Sequence, residues 1–332
     1  MAVAEQIAVY KLSAILDDPR FDGFDFARGV KSLLGNDFPI EDFQGEDPLM
    51  FSWKPASLAE VWKPPKVVGN VRPFNDYPCL GLTKPAFSER AVKCLRPMLE
   101  ANGELLPLDS DLGSYWVFNV QTKCFALDVN RSKIAWWGAD CDAAIDVKWF
   151  AFNQKKLRGL AIFKLREYPI EVFVTQVFRD RVEECGLNGF HFIKVWPYPR
   201  GVYWNDEEVK ARRARAKKKG DLRGETLILR FRLAGPKPNA AENRMIKRFT
   251  EELRADLSAQ STPTAPYYGS LETTELTRGE WRVFFSCGSV DKLIEHLEGW
   301  IDGNPWPGQL HIVKRRGHLL DRTAKEERIA IK

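Results

Sequence analysis

Residues 226–233 read TLILRFRL and residues 281–286 read WRVFFS, and these two runs decide the fold of the C-terminal part of the chain. From Thr226 to Leu233 apolar and polar residues alternate with the period of two that places one face of a strand against a core. Pro236 and Pro238 end the run. Asn239 then leads into a helix that carries Met245, Ile246, Phe249, Leu253 and Leu257 on one face. A Pro-rich turn from Thr262 to Pro266 follows, then a strand around Tyr268–Leu276, a turn at Arg278 and Gly279, and the Trp281–Ser286 strand. Ser289 or Asp291 starts a second amphipathic helix with Leu293, Ile294, Leu297 and Ile301 inward, and Gln309–Lys314 closes as a strand. This order is β-α-β-β-α-β, the split pattern of ferredoxin-like domains, expected over residues 221–332 with no iron–sulfur cluster implied.

Upstream lies a charged stretch. Between Asp206 and Lys219 seven basic residues (Lys210, Arg212, Arg213, Arg215, Lys217, Lys218 and Lys219) stand against Asp206, Glu207 and Glu208. The excess is most of the chain's formal charge of +5. Acidic residues come first and basic residues last, the order a helix dipole favours, and Val209 is the only large apolar residue. Residues 205–220 therefore read as a charged linker or helix between domains.

Residues 1–204 read as a mixed α+β domain, so the whole chain is of the α+β class. Up to about Gly103 only short strands and loops are expected, apart from a helix over Ser88–Glu100 capped by Ser88 and limited or kinked by Pro97. Tyr115–Val120, Cys124–Val129 and Ile134–Trp137 read as strands, as do Leu160–Leu165 and Ile170–Val174. Thr175 then caps a helix running to Glu184, with Gly186 placed to end it.

A chain of 332 residues with 11 Trp and 21 Phe can bury more than one core without metal or disulfide support. Cys79, Cys94, Cys124, Cys141, Cys185 and Cys287 show neither zinc-ligand spacing nor a disulfide framework, and reduced thiols in the cytoplasm are expected. The first thirty residues lack the basic start and unbroken apolar run of a leader, and no stretch is apolar for long enough to span a membrane. Phosphate-cradling glycine motifs, the nucleophile elbow and the zinc-protease motif are absent, so no cofactor, no metal and no catalytic residue is expected. The four histidines (His191, His296, His311 and His318) read as satisfied or exposed. The acid pairs Asp109 with Asp111 and Asp140 with Asp142 read as turn formers rather than acid–base pairs. The K/R-G-F/Y-G/A-F signature of RNA-binding domains is also missing, which disfavours nucleic acid.

A series of short signatures carries a resemblance. Leu105, Leu106 and Pro107 are followed by Tyr115 and Asn119, Leu127 and Asp128, and Ser132 and Ile134. Ala161, Ile162 and Phe163 then precede Val172, Phe173 and Val174. Finally Phe178 in a helix is followed by Cys185, Gly186, Leu187, Asn188, Gly189, Phe190, His191 and Phe192. Over about residues 105–197 the chain resembles the family-eleven immunity proteins of bacterial polymorphic toxin systems. The resemblance implies a cytoplasmic, non-enzymatic protein that neutralises a cognate toxin by occluding it; it brings no catalytic residues, and the paired C-x-x-C-G motifs of some relatives are absent here. Readings kept alongside it are a hydrolase that reverses a toxin's modification and a nucleic-acid-binding regulator. A toxin-binding surface needs aromatic and arginine anchors. Trp196, Tyr198, Tyr203 and Trp204, in a Pro- and Gly-rich segment, are the expected exposed set, joined by Arg212 and Arg213. The oligomeric state is left open.

Overall fold

A computed structural model describes residues 7–27, 57–81, 84–137, 143–199, 201–219, 224–258, 266–317 and 324–329. The chain divides into two compact units, Met1–Leu16 with Phe21–Ala214 and Asp17–Arg20 with Arg215–Lys332. The charged stretch is helical from Trp204 to Lys219, and the division between units falls inside that helix.

The first unit opens with β1 (Val9–Ala14), β2 (Phe24–Phe26), β3 (Val67–Gly69) and β4 (Ala86–Ser88). Helix α1 (Glu89–Glu100) begins where the Ser88 hydroxyl accepts the Ala91 N–H at 3.2 Å. The helix runs on through Pro97 to Glu100. The bond that Pro97 cannot make would go to the carbonyl of Lys93, and both residues lie on the exposed side. Next come β5 (Gly103–Leu108), β6 (Tyr115–Val120), β7 (Lys123–Cys124), β8 (Lys133–Trp136), β9 (Ala144–Trp149) and the single turn α2 (Gln154–Leu157). The unit closes with β10 (Ile162–Leu165), β11 (Phe173–Thr175), α3 (Gln176–Glu184), β12 (Phe190–Trp196) and the first part of α4 (Trp204–Lys219).

The strand expected over Cys124–Val129 is not formed beyond Cys124. Asp128 turns the chain instead, its carboxylate accepting the Arg131 N–H at 3.2 Å. Thr175 stands at the start of α3 but does not cap it with its side chain, because its hydroxyl donates to the Leu160 carbonyl at 2.6 Å.

A five-stranded sheet in the order β12-β1-β11-β10-β7 organises this unit. Strand β1 lies antiparallel to both neighbours, Tyr10 facing Val174 on one side and Lys194 on the other. The sheet is covered on both faces. On one, Tyr10, Leu12, Ile162 and Val174 pack with Leu95 and Leu99 of α1 and Phe178 and Val182 of α3. On the other, Val9, Phe163, Phe173 and Val195 pack with Val147, Phe150 and Phe152 around β9. Burial on both sides explains the unbroken apolar runs Ala161–Phe163 and Val172–Val174. Strands β8 and β9 pair as a separate hairpin, and β4-β6-β5 form a small sheet of their own.

The second unit contains β13 (Glu225–Arg232), α5 (Ala240–Ser258), β14 (Ser270–Thr277), β15 (Glu280–Cys287), α6 (Val290–Gly303), β16 (Leu310–Arg316) and β17 (Lys325–Ile329). Their antiparallel sheet runs β14-β15-β13-β16-β17. The β-α-β-β-α-β series is present, and β17 is an added edge strand. Leu227, Leu229, Phe231, Trp281, Val283 and Phe285 meet Phe249, Leu253, Leu293 and Leu297 in one core. Phe231 stacks on Trp281 at 4.6 Å and meets Trp306 at 5.2 Å. Asn239 and Glu242 cap α5 reciprocally: the Asn239 side chain accepts the Glu242 N–H at 2.9 Å, and the Glu242 carboxylate accepts the Asn239 N–H at 2.8 Å.

Candidate partner interface

The aromatic residues expected to be exposed between β12 and α4 are largely committed to packing. Trp196 meets Phe152 edge-on at 5.8 Å. The Trp204 indole N–H donates to the Val147 carbonyl at 2.7 Å, and its ring lies 6.2 Å from Phe150. Both belong to the β9 side of the core. The Lys194 ammonium sits 5.7 Å from the Tyr198 ring centroid, and burial, with Glu207 and Glu208 nearby, raises the Tyr198 pKa. Tyr203 accepts from the Lys133 ammonium at 3.1 Å. None of the four is a freely projecting anchor, since a Pro- and Gly-rich backbone lets these rings fold back onto the strands. Arg212 and Arg213 of α4 are exposed as expected.

Among the described residues, the exposed tryptophans lie on the β8–β9 hairpin instead. Trp137 is 68% exposed, Ile145 48% and Trp136 38%. Ile134 and Val147 face each other in the ladder and turn into the core. Strand geometry sends successive side chains to opposite faces, so two tandem tryptophans cannot both be buried on one side. That rule was the available signal for these residues. The hairpin is tied to the predicted segment by Lys133 on Tyr203 and by Trp204 on the Val147 carbonyl, so the two surfaces adjoin within the first unit.

The groups weighed for chemistry serve structure. Asp111 pairs with Lys66 at 2.6 Å and Asp109 lies 4.0 Å from the same ammonium, which joins the loop after β5 to the approach to β3. Asp140, Asp142 and His318 lie outside the described residues. His296 meets Asp256 at 2.8 Å and stacks on Tyr268, while His191 lies 3.5 Å from Glu208. Among the described residues no group of three His, Cys, Asp or Glu side chains is placed to hold a metal ion. Burial pushes the thiols of Cys79 and Cys287 up to about 12 and that of Cys124 up to about 11, which keeps them protonated.

One expectation about cysteine is corrected. Cys94 and Cys185 form a disulfide, with Cα atoms 6.6 Å apart. They are 91 residues apart in sequence, and the packing of α1 beside α3 brings them together.

The signature around Cys185 proves to be a structural clip. Gly186 and Leu187 end α3 by donating to the carbonyls of Glu183 and Val182 at 3.0 and 3.1 Å, with Gly186 at φ +60°. The Asn188 N–H donates to the Asp76 carboxylate at 2.8 Å, and the Asp76 N–H returns a bond to the Asn188 carbonyl at 3.0 Å. Asp76 is buried, and it also receives the Ser88 hydroxyl at 2.7 Å and an ion pair from Arg90. The motif therefore locks the end of α3 to the start of α1.

These features describe a two-unit α+β protein with an aromatic hairpin on its surface and with its conspicuous ionisable groups drawn into structural bonds. Residues 108–196 match the model of the immunity protein family Imm11. The matched segment holds β8, β9 and the α3 clip. No curated protein matches the chain. Among the described residues no helix is long and apolar enough to cross a membrane.

Proposed function

We propose that the chain is an immunity protein that binds a cognate toxin of a polymorphic toxin system in the cytoplasm and neutralises it by occlusion, without catalysis. The observation that carries this reading is the family match over residues 108–196. It is supported by where exposed apolar side chains fall, because the aromatic Trp136 and Trp137 and the aliphatic Ile145 lie inside that segment. Aromatic side chains are the usual anchors of tight interfaces, and an occluding inhibitor typically buries about 1,600 Å² in total. The proposed interface centres on the hairpin, takes in Tyr203, and extends to Arg212 and Arg213, with Trp196, Tyr198 and Trp204 supporting it from beneath.

The test is co-expression with the toxin domain encoded beside this chain. Protection of growth together with a stable one-to-one complex is the expected result. Replacing both Trp136 and Trp137 by Ala should weaken the complex at least about thirtyfold, the equivalent of about 2 kcal/mol for a central anchor. Protection at substoichiometric amounts, or recovery of a free and chemically altered toxin, would overturn occlusion.

A further inference from the structure

Beside the sheet, at the start of α3, lies a cavity of about 610 Å³. Its walls are mainly apolar, with Ile7 before β1, Leu157 at the end of α2, Leu160 and Val177 in the first turn of α3, and Thr175 and Gln176 add polar groups. Val177 is 60% exposed, on the side of α3 away from Phe178 and Val182, which are buried in the core.

Asp180 contributes the one charged side chain of the lining. Among the described residues no Lys, Arg or His forms an ion pair with it. Its neighbours on α3 are engaged elsewhere: Arg179 with Glu183 at 2.7 Å and Arg181 with Glu184 at 3.4 Å.

A relay of hydrogen bonds sets the orientation of this carboxylate. Arg179 donates to the Tyr10 hydroxyl at 3.1 Å, and that hydroxyl donates to Oε1 of Gln176 at 2.5 Å. With its oxygen so occupied, the Gln176 amide must turn its nitrogen toward Asp180, where it donates to Oδ1. Oδ2 remains as an acceptor at the edge of an apolar cavity. An apolar trough ending in a fixed, unpaired carboxylate suits a ligand with an aliphatic stem and a cationic head.

We propose that this cavity is a second anchor point for the partner and receives one of its cationic side chains, arginine or lysine. The stem lies along Leu157, Leu160 and Val177, and the head reaches Asp180. As a toxin anchor the proposal rests on the immunity reading, but the site's chemistry is testable without the toxin.

The probes are the N-acetyl, N-methylamide derivatives of arginine, lysine and norleucine, titrated into the full chain and followed by amide resonances. Both cationic probes should shift Leu160, Gln176 and Val177, and norleucine should bind about tenfold more weakly, the loss expected for one charge-assisted hydrogen bond. Asp180→Asn should erase the difference while leaving norleucine binding and the rest of the spectrum unchanged. Equal binding of norleucine, a preference that survives Asp180→Asn, or an absence of shifts around α3 would each overturn the proposal. None of these results bears on whether the toxin complex forms, so the two readings fail separately.

Discussion

Replacing Gly189 by Ala tests whether the Cys185–Phe192 signature is a fold element. Gly189 has φ +92°, a conformation that L side chains rarely adopt, and forcing one there costs on the order of 1–3 kcal/mol. An added Cβ would overlap Oδ1 of Asn75 and come within 3.3 Å of the Tyr77 nitrogen. Asn75 is fully buried and cannot give way freely. Its side chain accepts the Tyr77 N–H at 3.2 Å and donates to the Asp22 carbonyl at 3.1 Å. Displacing it disrupts two hydrogen bonds worth about 1 kcal/mol each. Gly189→Ala should therefore destabilise the first unit by about 3–5 kcal/mol. Gly186→Ala is the control, since its φ is +60° and a Cβ there meets nothing within 4 Å. That change should cost only about 1–2 kcal/mol. Urea unfolding followed by tryptophan fluorescence compares the two at matched slope. If Gly189→Ala proves no more harmful than Gly186→Ala, the clip does not depend on close approach to Asn75 and the reasoning fails.

Two further outcomes follow from the same unit. The Cys94–Cys185 bond closes a loop of 91 residues, and the chain-entropy relation gives such a loop about 4.6 kcal/mol, so Cys94→Ala should lower the unfolding midpoint and abolish its response to reductant; a midpoint in the native chain that ignores reductant would contradict this. Burial opposes ionisation of Glu104, but hydrogen bonds from the Leu58 N–H, Ser57 and Asn119 outweigh it and hold the pKa below its ordinary value. A lowered carboxylate contributes stability that is present above the ordinary pKa and lost as pH falls through the folded value, so Glu104→Gln should flatten the acid side of the stability profile measured by urea titration.

The second unit was legible because its pattern is local. Leu227, Leu229, Phe231 and Leu233 alternate into one core, Asn239 and Glu242 form a cap within four residues, and each amphipathic helix follows directly from its strand. The first unit hid its organising strand. β1 alternates only partly, and its partners lie more than 160 residues away at Thr175 and Lys194. A short run beside Asp- and Pro-rich sequence carries no mark of such distant pairing. The same blindness affected the site. Trp196 and Trp204 were expected on the surface from the composition around them, yet the bond from Trp204 to Val147 spans 57 positions and cannot be seen locally. Trp136 and Trp137 were readable as strand residues, and the alternation rule would have placed one of them outward.

The position of β1 also bears on what the family match describes. Within residues 108–196, β11 and β12 do not pair with each other; β1 stands between them. The apolar faces of β10 and β11 are closed by Leu95 and Leu99 of α1, also outside the match. Asp76 and Asn75, which hold the Asn188–Gly189 turn, precede it as well. The matched segment is therefore one portion of a larger folding unit that also draws a strand, a helix and a buried carboxylate from the first hundred residues. The hairpin differs in this respect, because both of its strands lie within the segment and its exposed Trp137 and Ile145 serve no internal packing that β1 or α1 completes. The fold of the matched segment thus depends on residues outside it, whereas the proposed partner surface on the hairpin does not, so a change at Trp137 or Ile145 can alter that surface without disturbing the core.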